Sequence, residues 1–472
     1  GLVSAKQSAR RGAKSALIEM HLAGGDCLNV GCVPSKALLR CARAVAERRR
    51  ADLGLSKRSR TDDADADFPA IMERMRRLRA QIAPVDSHQA TVQAGADVYM
   101  GRAEFTGRNE LKVAGRTLRF RKAVIATGAR AVVPPISGLA EAPYLTNATL
   151  FNLMALPPRL VVLGGGPIGL EMAQAFRSFG SAVTVLEGLE RILGPEDPEA
   201  STVLDQVLRH EGVEILTSVR VQSVSHKPAQ PWPEISLSLL LPSGDAKVVV
   251  CDAFLVAAGR VPNVEGLGLD AAGVDFNPRS GVKVNDDLST TNPDIFAAGD
   301  VIDRPEFKFT HMAGTMAGMV VQNALFPDDG LPVNAPSRKL SGIVVPRCTY
   351  TEPEVASCGV STERAAAARG MNIDMYTAKL EHNDRAILEG ACDAGFVKIA
   401  CQEGTDSIVG ATIVAERAGD MLAELTLAAQ SGSGLAAVAR IVHPYPTLGE
   451  GIQQCALAWN RARWTKLDSR AA

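Results

Sequence analysis

A glycine-rich turn in the middle of the chain narrows the possible folds more than any other feature. The apolar run from Arg159 to Leu163 leads directly into Gly-Gly-Gly-Pro-Ile-Gly, the pattern of a buried strand that enters a tight turn and then a helix. In such a turn the first glycine permits the bend, the second lets the backbone approach a pyrophosphate, and the third allows close helix–strand packing. Gly164, Gly166 and Gly169 occupy these positions. The pattern therefore predicts a βαβ unit that binds a dinucleotide.

An acidic residue closes this βαβ unit. Glu187 ends the next strand, about 20 residues after the turn, where a carboxylate can accept a hydrogen bond from a ribose 2′-hydroxyl. The same carboxylate repels a 2′-phosphate, so the unit is predicted to prefer NAD(H) to NADP(H). Arg191 follows shortly after and could soften that preference.

A second motif, Gly-Gly-Asp-Cys-Leu-Asn-Val-Gly-Cys-Val-Pro-Ser-Lys, runs from Gly24 to Lys36. Cys27 and Cys32 stand at the predicted start of a helix and can close a strained, reducible disulfide. The helix N-terminus and the Lys36 cation would favour a thiolate. Two buried structural thiols are the alternative, which the flanking glycines and Pro-Ser-Lys disfavour. Because no second Cys/His pair lies at ligand spacing, the motif predicts a redox-active pair and no metal site.

The overall composition excludes several classes of partner. Lysine plus arginine number 51 and aspartate plus glutamate 52, for a formal net charge of -1. Nucleic acids and anionic membranes both require a sustained basic field. No apolar run approaches the roughly 20 residues that cross a bilayer. The nine cysteines are scattered along the chain, which favours a reducing compartment such as the cytoplasm or an organelle matrix.

The first residues are interpreted as half of another βαβ unit. Leu2 to Arg11 is compatible with a helix, and Lys14 to Glu19 is a short apolar strand that ends in an acid. Gly1 is interpreted as the last glycine of a turn whose preceding strand is missing from the sequence. The chain does not begin with Met, so a targeting peptide would be out of view.

The predicted fold class is α/β, with two Rossmann-like dinucleotide-binding domains and a C-terminal α+β domain. The predicted boundaries lie at Pro157-Pro158 and at the linker Pro327 to Ser337. A helix is predicted from about Ser35 to Arg50, followed by a stretch that is basic and then acidic at 57–67, interpreted as either a docking loop or a solvated loop. The predicted segments are 1–155 for the first dinucleotide-binding domain, 156–270 for the second, 271–338 for a return to the first, and 339–472 for the C-terminal domain.

Two further segments end in residues suited to a cofactor. The run Thr-Asn-Pro-Asp-Ile-Phe-Ala-Ala-Gly-Asp ends at Asp300, whose carboxylate could accept hydrogen bonds from polyol hydroxyls. Thr127 and Gly128 similarly end a strand where backbone must approach a ligand.

In this order the motifs resemble those of the class I pyridine nucleotide-disulfide oxidoreductases, which include dihydrolipoyl dehydrogenase, glutathione reductase and mercuric reductase. The resemblance implies that 1–155 and 271–338 bind FAD, that 156–270 bind NAD, and that 339–472 form an α+β dimerisation domain. It implies Cys32 as the sulfur nearest the flavin and Cys27 as the interchange thiol. It also implies an ion pair between Lys36 and Glu171 beside the flavin, and a homodimer whose active site lies at the subunit interface. The residues predicted to bind cofactors are Gly1, Glu19, Gly25, Thr127, Gly128, Asp300, His311, Gly164, Gly166, Gly169, Glu187 and Gly259; His311 is expected to lie near the flavin pyrimidine and to contact it through its backbone.

The C-terminal segment departs from the members that reduce disulfides. Those members place a histidine immediately before Pro-Thr and a glutamate five residues after that histidine; here Tyr445 stands in the histidine position, and Glu450 keeps the spacing. A phenol, with a pKa of about 10, is a poor base near neutrality, whereas imidazole titrates near 6.5. Mercuric reductase also has a tyrosine there, so the substitution favours a mercuric-reductase-like branch. His443 lies two residues earlier and could swing in as the base instead.

The remaining cysteines bear on the same question. Mercuric reductases carry a vicinal cysteine pair near the C-terminus, whereas the last cysteine here is the single Cys455, interpreted as a core residue. Cys348 and Cys358 could form a second redox pair or could be half-buried thiols of a strand–loop region. Hg(II) therefore stays open as a substrate.

Three functions follow from these patterns. The first is an oxidoreductase that passes electrons from NAD(P)H through FAD to Cys27–Cys32 and on to a metal ion such as Hg(II) or another small electrophile. The second is a dihydrolipoyl dehydrogenase, which Tyr445 disfavours. The third is an inactive flavoprotein that serves as a structural or interaction subunit.

Overall fold

The computed structural model describes residues 1–49, 66–326, 338–390 and 394–471. Most of the predicted charge-alternating stretch, and the whole predicted linker 327–337, lie outside these residues. Within the described residues, no helix combines the length and apolar character needed to cross a membrane.

The first segment opens with the predicted helix and strand. The elements are α1 (Leu2–Arg10), β1 (Ser15–Glu19), α2 (Gly25–Val30), α3 (Cys32–Arg49), α4 (Phe68–Ile82), α5 (His88–Gln93), β2 (Ala96–Met100), β3 (Ala103–Gly107), β4 (Glu110–Val113), β5 (Arg116–Arg119), β6 (Ala123–Ile125), β7 (Ala129–Ala131) and α6 (Asn147–Leu150). Strand β1 pairs in parallel with β2, and α1 packs against β1 through a small apolar cluster. The helix predicted from about Ser35 begins three residues earlier, at Cys32.

The second segment is the βαβ unit that the glycine-rich turn predicts. Its elements are β8 (Arg159–Leu163), α7 (Pro167–Phe179), β9 (Ala182–Leu186), α8 (Pro198–His210), β10 (Glu214–Leu216), β11 (Arg220–Lys227), β12 (Glu234–Leu240), β13 (Ala246–Cys251), β14 (Ala253–Val256) and β15 (Arg260–Pro262). Strands β10, β9, β8 and β14 form a parallel sheet in that order, beside the antiparallel sheet β11-β12-β13. Every residue of β14 is buried, as expected for a parallel strand covered on both faces.

The chain then returns to the first segment. Its elements are α9 (Leu269–Ala272), β16 (Phe276–Asn277), β17 (Gly281–Val282), β18 (Ile295–Ala297) and α10 (Thr310–Leu325). Strand β18 pairs in parallel with β6, and β15 pairs antiparallel with β7. These pairings bring the carboxyl ends of β6 and β18 to one edge, where loops of distant sequence meet. The predicted boundary between residues 270 and 271 falls inside α9.

The last segment is an antiparallel sheet with helices. Its elements are β19 (Pro346–Thr349), β20 (Glu354–Gly359), α11 (Glu363–Ala367), β21 (Ile373–Lys379), α12 (Asp384–Glu389), β22 (Phe396–Gln402), β23 (Ile408–Ala415), α13 (Ala418–Ser431), α14 (Leu435–Val438) and α15 (Glu450–Ala471). The strands run in the order β19-β20-β23-β22-β21. Their apolar side chains form a core with α13 and the first turns of α15. The predicted α/β class, with two Rossmann-like units and a C-terminal α+β unit, is confirmed.

A network of buried and partly buried charges joins the second segment to the last one. Lys398 on β22 lies 2.9 Å from both Asp197 and Glu199 at the start of α8, and its side chain is 14% exposed. Arg347 on β19 lies 2.7 Å from Glu196, whose carboxylate also accepts a hydrogen bond from Ser357. The dinucleotide unit is therefore held to the C-terminal sheet by paired charges.

Candidate active site

The two cysteines of the motif lie at the junction of two helices. Cys27 is in α2, and Cys32 is the first residue of α3. Gly31 lies between the helices, and a Cβ at this position would be 2.8 Å from the carbonyl oxygen of Asp26, so the close approach requires glycine. Gly24 has a φ of +90°, and a Cβ there would meet Leu28 at 2.4 Å. The glycines of the motif thus shape the backbone that presents both sulfurs.

The two sulfurs differ in their protonation. The hydrogen bond donated by the Cys27 thiol lowers the pKa of Cys32 to about 6, and the Thr310 hydroxyl and the Lys36 cation act in the same direction against partial burial. The same hydrogen bond, with burial, raises the pKa of Cys27. Thr310 Oγ1 lies 3.2 Å from Cys32 Sγ, at the start of α10. In the reduced pair Cys32 therefore carries the negative charge and Cys27 keeps its proton.

The expected ion pair between Lys36 and Glu171 is present. Lys36 Nζ lies 2.8 Å from Glu171 Oε2, with side chains 36% and 6% exposed. Glu171 also accepts a hydrogen bond from the backbone N–H of Tyr350 at 3.0 Å, and Lys36 Nζ lies 4.3 Å above the Tyr350 ring. These contacts fix the ammonium group near Cys32, where its charge favours the thiolate.

Asp300 lies in a partly buried cluster of charges. Burial raises the pKa of Asp300, and Arg260 opposes that shift, with its Nε 3.5 Å from the carboxylate. Arg260 also pairs with Asp26 and donates to the carbonyl oxygen of Ala129. Arg260 thus joins the cysteine motif to Asp300, and its buried Nε makes no hydrogen bond within the described residues.

The remaining residues predicted to hold FAD are compatible with a polyol and a dinucleotide. A Cβ built at Gly25 or Gly128 would touch no atom of the described chain, so the backbone there is open to a ligand. Glu19 receives a hydrogen bond from the N–H of His21, and the Thr127 hydroxyl donates to the carbonyl of Asn263. Open glycine backbone, carboxylates and a partly buried guanidinium form a donor and acceptor set that fits FAD.

Two further predicted FAD residues are held by neighbours. The His311 ring bonds the carbonyl oxygen of Pro346 at 2.8 Å and stacks on Phe309. Its carbonyl oxygen accepts the Thr315 hydroxyl at 3.1 Å, so its N–H in the first turn of α10 is the backbone group left for a ligand. Gly1 lies against Leu17 of β1, 3.4 Å from its would-be Cβ.

The glycine-rich turn borders a cleft of about 940 Å³. A Cβ at Gly164 would lie 2.4 Å from the carbonyl oxygen of Ala257, and one at Gly169 would lie 2.0 Å from the carbonyl oxygen of Gly164. Gly166 precedes α7 and is open to the cleft, as is Gly259 on the opposite wall. A helix N-terminus above open glycine backbone fits a pyrophosphate.

Glu187 lies in the same cleft with its carboxylate held in place. It accepts hydrogen bonds from the N–H groups of Gly165 at 2.6 Å and Leu189 at 2.8 Å. Arg191 does not line the cleft; it donates to the carbonyl oxygens of Gly194 and Glu196. The softening of nucleotide preference expected from Arg191 therefore has no geometric support.

The three candidate residues of the C-terminal segment, Tyr445, Glu450 and His443, each have a different hydrogen-bond partner. The Tyr445 side chain is 70% exposed, and its hydroxyl donates to Asp384 at 2.7 Å. Glu450 accepts the N–H of Thr447 at 3.2 Å rather than contacting the tyrosine. His443 Nε2 lies 3.1 Å from Glu424, and the His443 side chain is 7% exposed. This bond holds the His443 imidazole, the alternative base to Tyr445, against Glu424.

Of the other three cysteines considered as site residues, Cys358 and Cys455 are buried and Cys348 is partly buried. Strand register pairs Cys348 with Ala356 and Cys358 with Pro346, so the two thiols do not face each other directly. Burial raises the pKa of both and raises that of Cys455 to about 12. Among the described residues, no group of three or more His, Cys, Asp or Glu side chains is arranged to hold a metal ion.

Sequence reasoning missed three contacts at this site. Thr310, Arg260 and Asp384 each reach a predicted site residue from far along the chain. Thr310 and Cys32 are separated by 278 positions. The sequence offers one signal for Thr310, its place at the start of an apolar helical run after Asp300. It offers none for the other two.

Comparison with known proteins gives consistent matches over the whole chain. The family model described as pyridine nucleotide-disulphide oxidoreductase matches residues 1–317, and the model for its dimerisation domain matches residues 345–456. A mercuric reductase of Streptomyces lividans is 35% identical over 467 residues, which cover 97% of this chain and 93% of that protein. A dihydrolipoyl dehydrogenase of Thermus scotoductus is 31% identical over 470 residues, covering 98% and 95%. The Cu(II) complex of the HOCl-induced flavoprotein disulfide reductase RclA from Escherichia coli superposes with a TM-score of 0.81 at 27% identity, covering 96% of each chain.

Proposed function

The chain belongs to the pyridine nucleotide-disulphide oxidoreductase family, and on this basis we propose that it moves electrons from NADH through FAD to Cys27–Cys32 and on to a thiol-reactive metal ion or another small electrophile. Members of this family use FAD and a pyridine nucleotide. The acceptor, the nucleotide preference and the residue roles are the parts that we propose.

One observation carries the proposal: the two sulfurs of the motif are electrostatically unequal. Cys32 lies beside the Thr310 hydroxyl and the Lys36 cation, and its pKa is lowered to about 6. A thiolate near neutral pH is the form that interacts with an oxidised flavin and that donates electrons. Two structural thiols would need no such environment.

Each nearby residue then has a defined role. Bound FAD would accept a hydride from the nicotinamide and reduce the disulfide. Lys36 stabilises the negative charge on Cys32, and Glu171 holds Lys36 in place. Cys27 keeps its proton in the reduced pair and must lose it before its sulfur can attack an acceptor. In this proposal Cys32 carries the negative charge of the reduced pair, and Cys27 reacts with the acceptor.

NADH is the proposed electron donor. The Glu187 carboxylate, fixed by two backbone N–H groups, faces the cleft in which the adenosine ribose would lie. A 2′-phosphate at this position would meet a fixed negative charge. Arg191 donates its hydrogen bonds to backbone carbonyl oxygens, so its positive charge is not placed to bind that phosphate.

A homodimer is proposed on the dimerisation-domain match and on an apolar surface within it. The exposed large side chains of this segment include Ile387, Leu388, Ile441, Val442 and Tyr445, with Leu388 at 72% and Val442 at 90%. All lie within residues 345–456, which the dimerisation model matches. A second copy of the chain would cover this surface, and Tyr445 would then lie at the redox pair of the partner subunit.

The choice of acceptor depends on Tyr445. Reduction or oxidation of a disulfide needs a base that takes a proton near neutrality, and the phenol has a raised pKa because it bonds Asp384. A metal ion that reacts with thiolates does not need an imidazole there. The Escherichia coli flavoprotein named above is described in complex with Cu(II), and the mercuric reductase relatives act on a related class of ion. Because a dihydrolipoyl dehydrogenase is also among the relatives, oxidation of dihydrolipoamide is the second candidate activity.

Anaerobic titration of the purified protein with NADH tests the proposal. Two electrons should produce long-wavelength charge-transfer absorbance between the Cys32 thiolate and the flavin. Turnover should then be measured with thiol-complexed Hg(II), thiol-complexed Cu(II), dihydrolipoamide and oxidised glutathione. Rapid dihydrolipoamide oxidation would replace the proposal with the second candidate, and protein that binds no flavin would support the inactive-subunit hypothesis.

A further inference from the structure

Tyr445 is bonded to a carboxylate that the family motif does not contain. Its hydroxyl donates to Asp384 Oδ2 at 2.7 Å, and Asp384 is the first residue of α12, 61 positions earlier in the chain. Glu450, which has the spacing of an orienting acid, instead bonds the backbone N–H of Thr447. The carboxylate that meets the tyrosine is therefore Asp384.

The loop that carries Tyr445 is tied to the same helix start. Asn383 caps α12 by accepting the N–H of Ala386, and its side-chain amide donates to the carbonyl oxygen of Thr447 at 3.1 Å. The Thr447 hydroxyl in turn donates to the carbonyl oxygen of Pro444 at 2.8 Å. These hydrogen bonds tie the loop to the start of α12. They therefore fix the position of Tyr445 relative to Asp384, although both side chains are exposed.

The direction of the hydrogen bond determines what Tyr445 can do. A phenol has one proton to donate, and this one points at Asp384, so the oxygen is left to accept a hydrogen bond from another group. The bond to Asp384, with a smaller effect of Glu450, raises the pKa of Tyr445. Tyr445 is therefore not a base by ionising, but it can pass a proton on.

We propose that Asp384 is a positioning residue for Tyr445 and that a proton leaves the interchange thiol for solvent through the phenol and this exposed carboxylate. The inference rests on the proposed function, which brings Tyr445 to Cys27 of the partner subunit. Cys27 is the sulfur that keeps its proton in the reduced pair, so it has one to give.

The transfer is a balanced relay. The S–H bond of the thiol breaks and a new O–H bond forms on the phenol oxygen, while the original phenol O–H bond breaks and its proton joins the Asp384 carboxylate. Water then removes this proton from the exposed Asp384, so the thiol becomes a thiolate while the carboxylate and the tyrosine are unchanged. No electrons move in this step. It supplies the thiolate that a soft metal ion or other electrophile requires.

The test compares four variants of the reduced holoenzyme: Asp384→Asn, Asp384→Glu, Tyr445→Phe and the double variant Asp384→Asn/Tyr445→Phe. Glu381→Gln is the matched control, because Glu381 is an exposed acid three residues before Asp384 and its carboxylate faces the His382 ring rather than Tyr445. The measurement is the rate of Cys27 alkylation by iodoacetamide as a function of pH, with the labelled peptide identified by mass spectrometry. Light scattering checks that each variant remains the same size as the parent.

Asp384→Asn and Tyr445→Phe should each slow Cys27 alkylation near neutral pH by about tenfold and shift its pH profile upward by about one unit, within the range of a lost proton-transfer partner. The double variant should be no slower than either single one, and Asp384→Glu should recover most of the rate. Absorbance of the tyrosinate should show Tyr445 ionising at lower pH once Asp384 is Asn.

Two results would overturn parts of the argument separately. If Tyr445→Phe slows alkylation but Asp384→Asn behaves like Glu381→Gln, the tyrosine acts without Asp384 and the relay is wrong. If neither substitution changes alkylation, Tyr445 does not meet the redox pair, and the placement within the proposed function fails.

Discussion

The contact between Thr310 and Cys32 allows a quantitative prediction. Thr310 Oγ1 lies 3.2 Å from Cys32 Sγ, and the hydroxyl can donate to a thiolate. Thr310→Val removes the hydroxyl and keeps the shape of the side chain, while Thr310→Ser keeps the hydroxyl and removes a methyl group. The pair of variants therefore separates the hydrogen bond from the packing.

The expected magnitude follows from the strength of a charge-assisted hydrogen bond. Such a bond stabilises its ionised partner by about 1.5–3 kcal/mol, and each pKa unit corresponds to about 1.36 kcal/mol. Because Cys32 is only partly buried, solvent screens the interaction and the lower figure applies. Thr310→Val should therefore raise the pKa of Cys32 from about 6 to about 7. The sign is fixed because the hydroxyl favours the charged form alone.

The assay is a pH titration of the two-electron-reduced enzyme, with charge-transfer absorbance reporting the Cys32 thiolate. The midpoint should rise by about one unit in Thr310→Val and stay within a few tenths of a unit in Thr310→Ser. The reasoning is refuted if the valine variant titrates like the parent. It is also refuted if the serine variant shifts as far as the valine variant, since packing would then be the cause.

Three further predictions concern the other site residues. Cys32→Ser should abolish the charge-transfer band without loss of bound flavin; a surviving band in the absorbance spectrum means that the pair is misassigned. NADH should be preferred over NADPH by about a hundredfold in kcat/KM, and Glu187→Gln should narrow the ratio, because the fixed carboxylate repels a 2′-phosphate; equal use of both nucleotides by the parent enzyme contradicts this. Tyr445→His should raise dihydrolipoamide turnover by roughly tenfold or more and leave reduction of thiol-complexed Hg(II) unchanged in steady-state assays; an unmodified enzyme as fast as ordinary dihydrolipoyl dehydrogenases would contradict it.

The local motifs were the predictable part of the site. Gly164 and Gly169 could be assigned from spacing alone because each position demands a residue without a side chain, as the backbone contacts of 2.4 and 2.0 Å illustrate. The cysteine motif was equally accessible, since Cys27 and Cys32 belong to one short stretch. Sequence spacing carries this information because it fixes local geometry.

The long-range contacts were not predictable in the same way. Asp384 meets Tyr445 because α12 and the C-terminal loop pack together, and nothing in the sequence near either residue records that packing. The imidazole of His443 was a reasonable substitute base by spacing, yet its position buries the ring against Glu424. Arg260 joins Asp26 and Asp300 only because β15 pairs with β7. Side-chain partners set by tertiary pairing need the folded chain.

The charge network between α8 and the C-terminal sheet has a consequence for how the protein is made. Asp197 and Glu199 leave the ribosome about 200 residues before Lys398, their partner on β22. Until then Asp197, whose side chain is only 5% exposed in the finished protein, lacks the cation that pairs with it. The dinucleotide unit can therefore form its sheet early during synthesis, but it should reach its full resistance to unfolding only after β22 has been added. A nascent chain arrested before residue 398 should accordingly be cut by proteases within the nucleotide unit, and one arrested well beyond residue 402, at the end of β22, should resist them.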